Sequence, residues 1–318
     1  AVFSGLAVAF ISVRFAVLGA MAPTLRAPVL GVAQSPLPRL WTALQAWPMI
    51  LRLLVFPRVL LADYGPGVLL PAMGPTPDAL LGATLLATLV GAGLVAWATG
   101  RGRLAFTLLF VPVALRPTSN LLLPIGVVLA ERTLYLPSLA VAAALTFLAS
   151  HAWEQRRHRT IAIGVTAVLV AMFSVRTMLR VPDWASTPAV MAALERDRPD
   201  SYRAHWYFAQ RAVNLEQPDE ALQRYARAMN IWPYREPLAL EAASFAARAG
   251  DHDFADQVTR FALAQWPDHV GFLRLHAAIQ LERGLVADAA ATIERGLRLA
   301  PDDSLLRAMR QSTAGKYP

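Results

Sequence analysis

Four prolines, Pro199, Pro233, Pro267 and Pro301, recur every 34 residues without slippage. A fixed period of this length marks a chain built from stacked helix-turn-helix units. Proline cannot continue a helix, so each one ends the second helix of its unit. Packing residues recur in register. Residues 202–235 carry Phe208, Ala209, Ala221, Tyr225 and Ala228; residues 236–269 carry Ala243, Gly250, Ala255 and Ala262; residues 270–303 carry Ala277, Gly284, Ala289 and Gly296. Small side chains at these places are expected where the two helices of a unit cross closely. Trp232 and Trp266 share one position beside proline and read as core. Thr187, ahead of Pro188, reads as the N-cap of a leading helix over 187–198. Residues 305–311 read as a trailing cap.

The chain before the repeats is a different material. Residues 1–180 hold 14 Arg, no Lys and four acids, Asp63, Asp78, Glu131 and Glu154, whereas residues 181–318 hold 16 basic and 18 acidic residues. The overall charge of +8 is therefore no nucleic-acid footprint. The arginines flank apolar blocks, where lipid headgroups are the natural counter-charge. With no cysteine, disulfides, thiolate metal sites and a cysteine nucleophile are excluded. The opening at Ala1 lies inside an apolar run that lacks a basic n-region and a cleavage site, so it does not read as a signal peptide.

A span needs about 20 apolar residues to cross the hydrocarbon core. Residues 79–99, 160–179, 133–153 and 1–22 meet that length, and 104–115, interrupted by Pro112, reads as a shorter span. The fold class expected is all-α: about five transmembrane helices within residues 1–180, a linker and leading helix over 181–201, and an α-solenoid of three repeats plus a cap over 202–318. Residues 39–61, with Trp41, Trp47 and Phe56 among Arg39, Arg52 and Arg58, read as an interfacial helix. Residues 121–130 are too short to cross. The arginines at 100–103 and 151–159 belong in the cytoplasm by the positive-inside rule. Residues 22–78 and 116–132, and the repeats, then face outward.

The most unusual stretch is Ala130-Glu131-Arg132-Thr133-Leu134-Tyr135-Leu136-Pro137-Ser138, preceded by Arg116-Pro117-Thr118-Ser119-Asn120. Ionisable residues at the lip of a span are expensive unless paired or solvated. One reading is an anion site, since arginine offers a fixed fork of donors suited to phosphate. The other is a structural lock, Glu131 and Arg132 holding a loop to each other or to backbone carbonyls.

The nine-residue stretch resembles the Ala-Glu-Arg-x-Leu-Tyr-x-Pro-Ser signature of the transmembrane and tetratricopeptide repeat-containing protein O-mannosyltransferases. Three further features are similar to that family: Pro117-Thr118-Ser119-Asn120-Leu121-Leu122, Phe56-Pro57-Arg58 leading to Ala62-Asp63-Tyr64, and Val181-Pro182-Asp183-Trp184. The 34-residue units match the tetratricopeptide pattern. The resemblance implies a GT-C membrane fold. It also implies transfer of a sugar from a polyprenyl-phosphate carrier to Ser or Thr hydroxyls on the outer side, with the lipid-linked sugar as donor and no separate cofactor. On that basis Arg132 is the expected cation for the departing phosphate, Arg116 the second, and Glu131 the residue that orients Arg132. Tyr135, Pro137, Ser138, Asn120 and Asp63 fall on other motif positions. The family's catalytic acids sit in the first outward loop. No paired acids occur here, so the chain is expected to be a piece lacking that loop, with Asp63 a loop residue more than a general base.

The first helices of the repeats are expected to line a peptide groove through Arg203, Trp206, Gln210 and Asn214, then Leu240, Ser244 and Arg248, then Arg274, Ala278 and Glu282. The alternative is that the repeats merely stack. Two rival functions remain: a non-catalytic membrane scaffold that binds partners through the repeats, and a lipid-linked polysaccharide ligase or polymerase. Metal and hydrolase chemistry find no support, as the six histidines show no ligand spacing and Ser119 and Ser138 have no histidine in their segment.

Overall fold

The structure is a computed structural model that describes residues 2–18, 35–121, 127–152 and 156–314. Residues 19–22 of the first expected span, 122–126 of the short apolar stretch, and 153–155 lie outside the described residues. Among the described residues every regular element is a helix. The chain divides into two compact units, Ala1–Pro199 and Asp200–Pro318.

The first unit holds α1 (Val2–Leu18), α2 (Pro36–Leu44), α3 (Trp47–Val55), α4 (Pro77–Ala98), α5 (Gly102–Leu115), α6 (Ser138–Ala152), α7 (Arg156–Arg180) and α8 (Thr187–Asp197). Two described helices are long and apolar enough to cross a membrane, Pro77–Ala98 and the helix running through Arg159–Trp184. The segment 133–153 differs from the expected span. A 3-10 turn over Glu131–Leu134 precedes α6, which is 15 residues long, and Pro137 sets the start of the true helix, as proline suits a helix's opening.

Residues 39–61 are not one interfacial helix. They form α2 and α3, and the chain leaves helical geometry at Phe56. Pro48 at the start of α3 supplies the break, because it has no N–H to continue the α2 ladder. Nor do these helices lie loose on a surface. Trp47, Ile50 and Leu53 are buried. The Thr42 hydroxyl donates to the Pro38 carbonyl at 2.7 Å and accepts from the Ala72 N–H at 2.9 Å, tying α2 to the following loop. Both helices pack on α4. Gly82 makes the approach possible: a Cβ there would lie 1.9 Å from the Leu44 carbonyl oxygen. Helix α4 opens with the Thr76 hydroxyl accepting from the Ala79 N–H at 3.1 Å and packs on α5.

The second unit is an array of hairpins. Its helices are α9 (Tyr202–Asn214), α10 (Pro218–Ile231), α11 (Glu236–Ala249), α12 (His252–Gln265), α13 (Val270–Glu282), α14 (Val286–Leu299) and α15 (Ser304–Ala314). Each packs on its successor, and α11 also touches α13. The recurrent alanines, Ala209, Ala221, Ala228, Ala243, Ala255, Ala262, Ala277 and Ala289, are fully buried. Gly296 sits under α15, where a Cβ would meet Leu306 Cδ1 at 2.6 Å.

Gly250 and Gly284 have a different reason from close helix crossing. A Cβ at either would meet nothing within 4 Å, but their φ angles are +86° and +74°. They end the first helices of their repeats in the left-handed region that glycine enters freely. The equivalent place in the first repeat is Glu216, with φ of 58°. The leading helix is capped by Ser186, one residue before Thr187; its hydroxyl accepts from the Ala189 N–H at 3.3 Å. Trp232 is buried and meets Tyr234 edge-on, while Trp266 stacks on Phe272.

Candidate functional site

In the first unit, segments distant in sequence converge on the Glu131 carboxylate. Glu131 Oε1 accepts from the Leu61 N–H at 2.6 Å and from the Tyr64 hydroxyl at 2.7 Å. Tyr64 is buried at 3% exposure, and burial first, then the carboxylate, pushes its hydroxyl well above the ordinary tyrosine range. Glu131 thus fastens residues 61–64 to the 3-10 turn. Among the described residues no bond joins it to Arg132, so it neither orients that guanidinium nor locks with it.

The end of α7 grips the same loop from the other side. Arg176 donates to the Arg58 carbonyl and Arg180 to the Leu60 carbonyl. Four residues apart, the two arginines share a helix face. Arg180 also pairs with Asp197 at 3.0 Å and Asp183 at 3.7 Å, and Arg196 pairs with Asp183 at 3.1 Å and Asp197 at 3.0 Å. Burial raises the Asp197 carboxyl, but the bonds from Arg196 and Arg180 outweigh it and hold the group below its ordinary value. The Val181-Pro182-Asp183-Trp184 turn is held to α8 by this quartet.

Between loop and helix lie two adjoining clefts of about 370 and 450 Å³ that share Pro57, Phe173, Arg176 and Arg180. Glu131 and Trp184 line one, Phe56, Arg58 and Asp183 the other. Three sequence features therefore meet at one place: Phe56-Pro57-Arg58 with Tyr64, Glu131, and the Val181–Trp184 turn. Sequence reasoning missed Arg176 and Arg180. The available signal was their spacing of four at the end of an apolar helix beside Asp183.

The remaining motif residues sit around this centre. Arg132 and Arg116 are exposed, and neither guanidinium bonds a described residue. Neither lines these clefts. Asn120, at φ of 59°, donates to the Val127 and Val128 carbonyls at 3.0 and 3.3 Å and closes its own loop. The Ser138 hydroxyl donates to the Tyr135 carbonyl at 2.6 Å, Pro137 is buried, and the Tyr135 ring is 84% exposed. The Asp63 carboxylate folds over Gly65, where an added Cβ would come within 2.7 Å of its Oδ2.

In the second unit, Gln210, Asn214, Leu240, Ser244 and Arg248 line one cleft of about 480 Å³ with Tyr225 and Glu241. Glu241 is its organiser: Oε2 accepts from Trp206 Nε1 at 2.7 Å, Gln210 Nε2 at 2.8 Å and the Tyr225 hydroxyl at 3.4 Å. Burial, with Glu241 adding to it, pushes Tyr225 up to about 12. Trp206 is thereby committed to the α9–α11 joint and is not a bare groove aromatic. Arg203 lies by the Tyr202 ring, and Arg274 pairs with Asp303 at 3.5 Å. These two do not line the Glu241 cleft.

No family model matches the chain. The protein O-mannosyl-transferase TMTC1 of Homo sapiens is 28% identical over 128 residues, which are 40% of this chain and 14% of that protein. The Mus musculus protein of the same name is 27% identical over the same shares. The match thus spans about a seventh of the length of these relatives. A thermophilic tetratricopeptide repeat protein in Thermus thermophilus superposes at a TM-score of 0.29 with 21% identity, covering 72% of this chain and 98% of that one. The tetratricopeptide domain of P58(IPK) gives 0.33 with 13% identity, covering 87% and 77%. These superpositions are loose. The repeat assignment rests on the 34-residue period and the paired helices, and over 40% of its length the chain is similar to proteins named protein O-mannosyl-transferase.

Proposed function

We propose that this chain acts in a membrane-embedded protein O-glycosyltransferase that takes a sugar, mannose by similarity, from a polyprenyl-phosphate carrier to Ser or Thr hydroxyls. The GT-C-like membrane part carries the lipid-linked donor, and the repeats stand outside the membrane to bind the unfolded acceptor. The observation that carries this reading is the convergence of Phe56–Arg58, Glu131 (to which Tyr64 is bonded) and Val181–Trp184 on two adjoining clefts at the end of α7. In the most apolar window of the helix through Arg159–Trp184 no residue is buried, which suits lipid contact. A phosphate leaving group needs cations at the lip. Arg132 and Arg116 are exposed but line neither cleft, so that role falls to arginines at the end of α7, and Glu131 keeps the loop in place.

The repeats supply a cleft of mixed polarity, with Gln210, Asn214 and Ser244 offering hydrogen bonds to an extended backbone. The rival reading, a membrane-anchored repeat scaffold without catalysis, is favoured by one observation: Glu131 spends its Oε1 on fastening the loop. Transfer of radiolabelled mannose from a polyprenyl-phosphate donor to an unfolded Ser/Thr-rich peptide, by the full-length protein in native membranes, separates the two. Label on the peptide that disappears in Glu131→Ala supports the transferase. Peptide binding without label supports the scaffold.

A further inference from the structure

We infer that the cleft between residues 56–60 and α7 seats the phosphate of an anionic lipid, and that Arg58 and Arg176 are the cations that hold it. The inference rests on the reading above that the chain sits in a bilayer, and it names cations other than those expected from sequence.

The first support is charge. Four guanidinium groups line the paired clefts, those of Arg58, Arg176, Arg180 and Arg196. Arg180 and Arg196 are neutralised by Asp183 and Asp197 at 3.0–3.7 Å. Arg58 is held through its backbone alone, its N–H donating to the Phe56 carbonyl at 2.8 Å and its carbonyl accepting from Arg176, and its exposed guanidinium pairs with no described residue. Arg176 donates one terminal nitrogen, while its Nε is buried without a hydrogen-bond partner. A buried donor left unmade is costly, so an incoming acceptor oxygen is favoured there. Against these two cations stands only Glu131, which leaves a net positive charge suited to a phosphate mono- or diester.

The second support is shape. The wall beside the cations is apolar, with Phe56, Phe173 and Leu179. The cleft opens along α7, whose outer side carries Val168, Val175 and Met178 exposed. Free phosphate has no use for such a wall. A lipid does, with its head on the arginines and its chain along the helix.

The test uses the full-length protein reconstituted in phosphatidylcholine nanodiscs, with phosphatidic acid or polyprenyl phosphate doped in, and native mass spectrometry counting retained lipid. Wild type is expected to retain either phosphate lipid over phosphatidylcholine. Arg58→Gln and Arg176→Gln should each lose that preference by about tenfold. Arg103→Gln, beside a different cleft near Phe106, should not. Arg58→Gln guards against misfolding, because its side chain bonds nothing in the described fold. Unchanged retention in both variants overturns the inference. So does full displacement of the lipid by inorganic phosphate, which would mark a free-phosphate site. Transfer activity that persists with no selective lipid retention would sink the seat and spare the proposed function.

Discussion

The Tyr64 hydroxyl donates to Glu131 Oε1 across 67 residues of sequence, at 2.7 Å, in a setting where Tyr64 is 3% exposed. With the Leu61 N–H bond to the same oxygen and the Arg176 and Arg180 bonds to the Arg58 and Leu60 carbonyls, this bond holds residues 57–61 beside α7. Removing a partner of a buried, charge-assisted bond costs about 1–3 kcal/mol. Tyr64→Phe should therefore lower the Tm of the detergent-solubilised chain by roughly 3–10 °C, and Glu131→Ala by more, because the Leu61 N–H loses its 2.6 Å carboxylate partner and keeps only the longer 3.3 Å bond to the Tyr64 hydroxyl. Glu131→Gln, which keeps an acceptor oxygen, should fall between wild type and alanine. Equal stability of all four forms would show that the clip holds nothing.

Tyr225 and Asp197 give opposite pH signatures. Tyr225 titrates near 12 in the fold against 10.0 for an ordinary tyrosine. The folded state holds that proton more tightly, so its contribution is complete below pH 10 and is lost as pH rises towards 12. Asp197 is held below 3.8, so its contribution is complete above that value and is lost as pH falls through the depressed one. Tyrosinate absorbance should show two late-titrating residues, Tyr64 and Tyr225; the phase near pH 12 should vanish in Tyr225→Phe and move down in Glu241→Gln, with the later Tyr64 phase unchanged. An alkaline titration identical in all three forms would contradict the Glu241 hub.

Position 216 offers a stability gain. Glu216 adopts φ of 58° where Gly250 and Gly284 adopt +86° and +74°. A left-handed residue with a Cβ carries a penalty of about 1 kcal/mol. Glu216→Gly should raise the stability of the repeat unit by roughly 0.5–1 kcal/mol, and Gly250→Ala or Gly284→Ala should lower it by a similar amount. Thermal melts of the three variants check both signs.

The repeats were legible in the sequence because their period is local and their alanines must be buried for hairpins to close. The reason for Gly250 and Gly284 was not, since a small residue and a left-handed one share the same letter. At the cleft, Glu131 stood out by its motif, but its partners Leu61 and Tyr64 and the arginine grip on Arg58 and Leu60 span 67 to 120 residues. Nothing in local spacing reveals such pairings. Arg132 stands out as the motif's cation, yet it bonds no described residue, while Arg176 lies inside the expected span 160–179 with no motif to mark it. The single helix expected over 39–61 breaks in two at Pro48, and Trp47 is buried in the packing, because tryptophan beside arginine reads alike on a surface and in a packed corner.

The absence of cysteine makes the chain suited to labelling of single introduced thiols. With the proposed orientation, cysteines at Tyr135 and Leu215, both exposed, should react with an impermeant maleimide in sealed, outward-facing cells. One at Arg101 should react only after permeabilisation. The reverse pattern would place Glu131 and the repeats on the cytoplasmic side and remove the transferase reading.

The most direct measurement is photocrosslinking of a diazirine-bearing polyprenyl phosphate to the full-length protein in membranes, followed by peptide mapping. The account predicts adducts on residues 56–60 and 173–184, reduced in Arg58→Gln and Arg176→Gln. Adducts confined to the cleft lined by Gly102, Phe106 and Phe147, or unaffected by those substitutions, would contradict it.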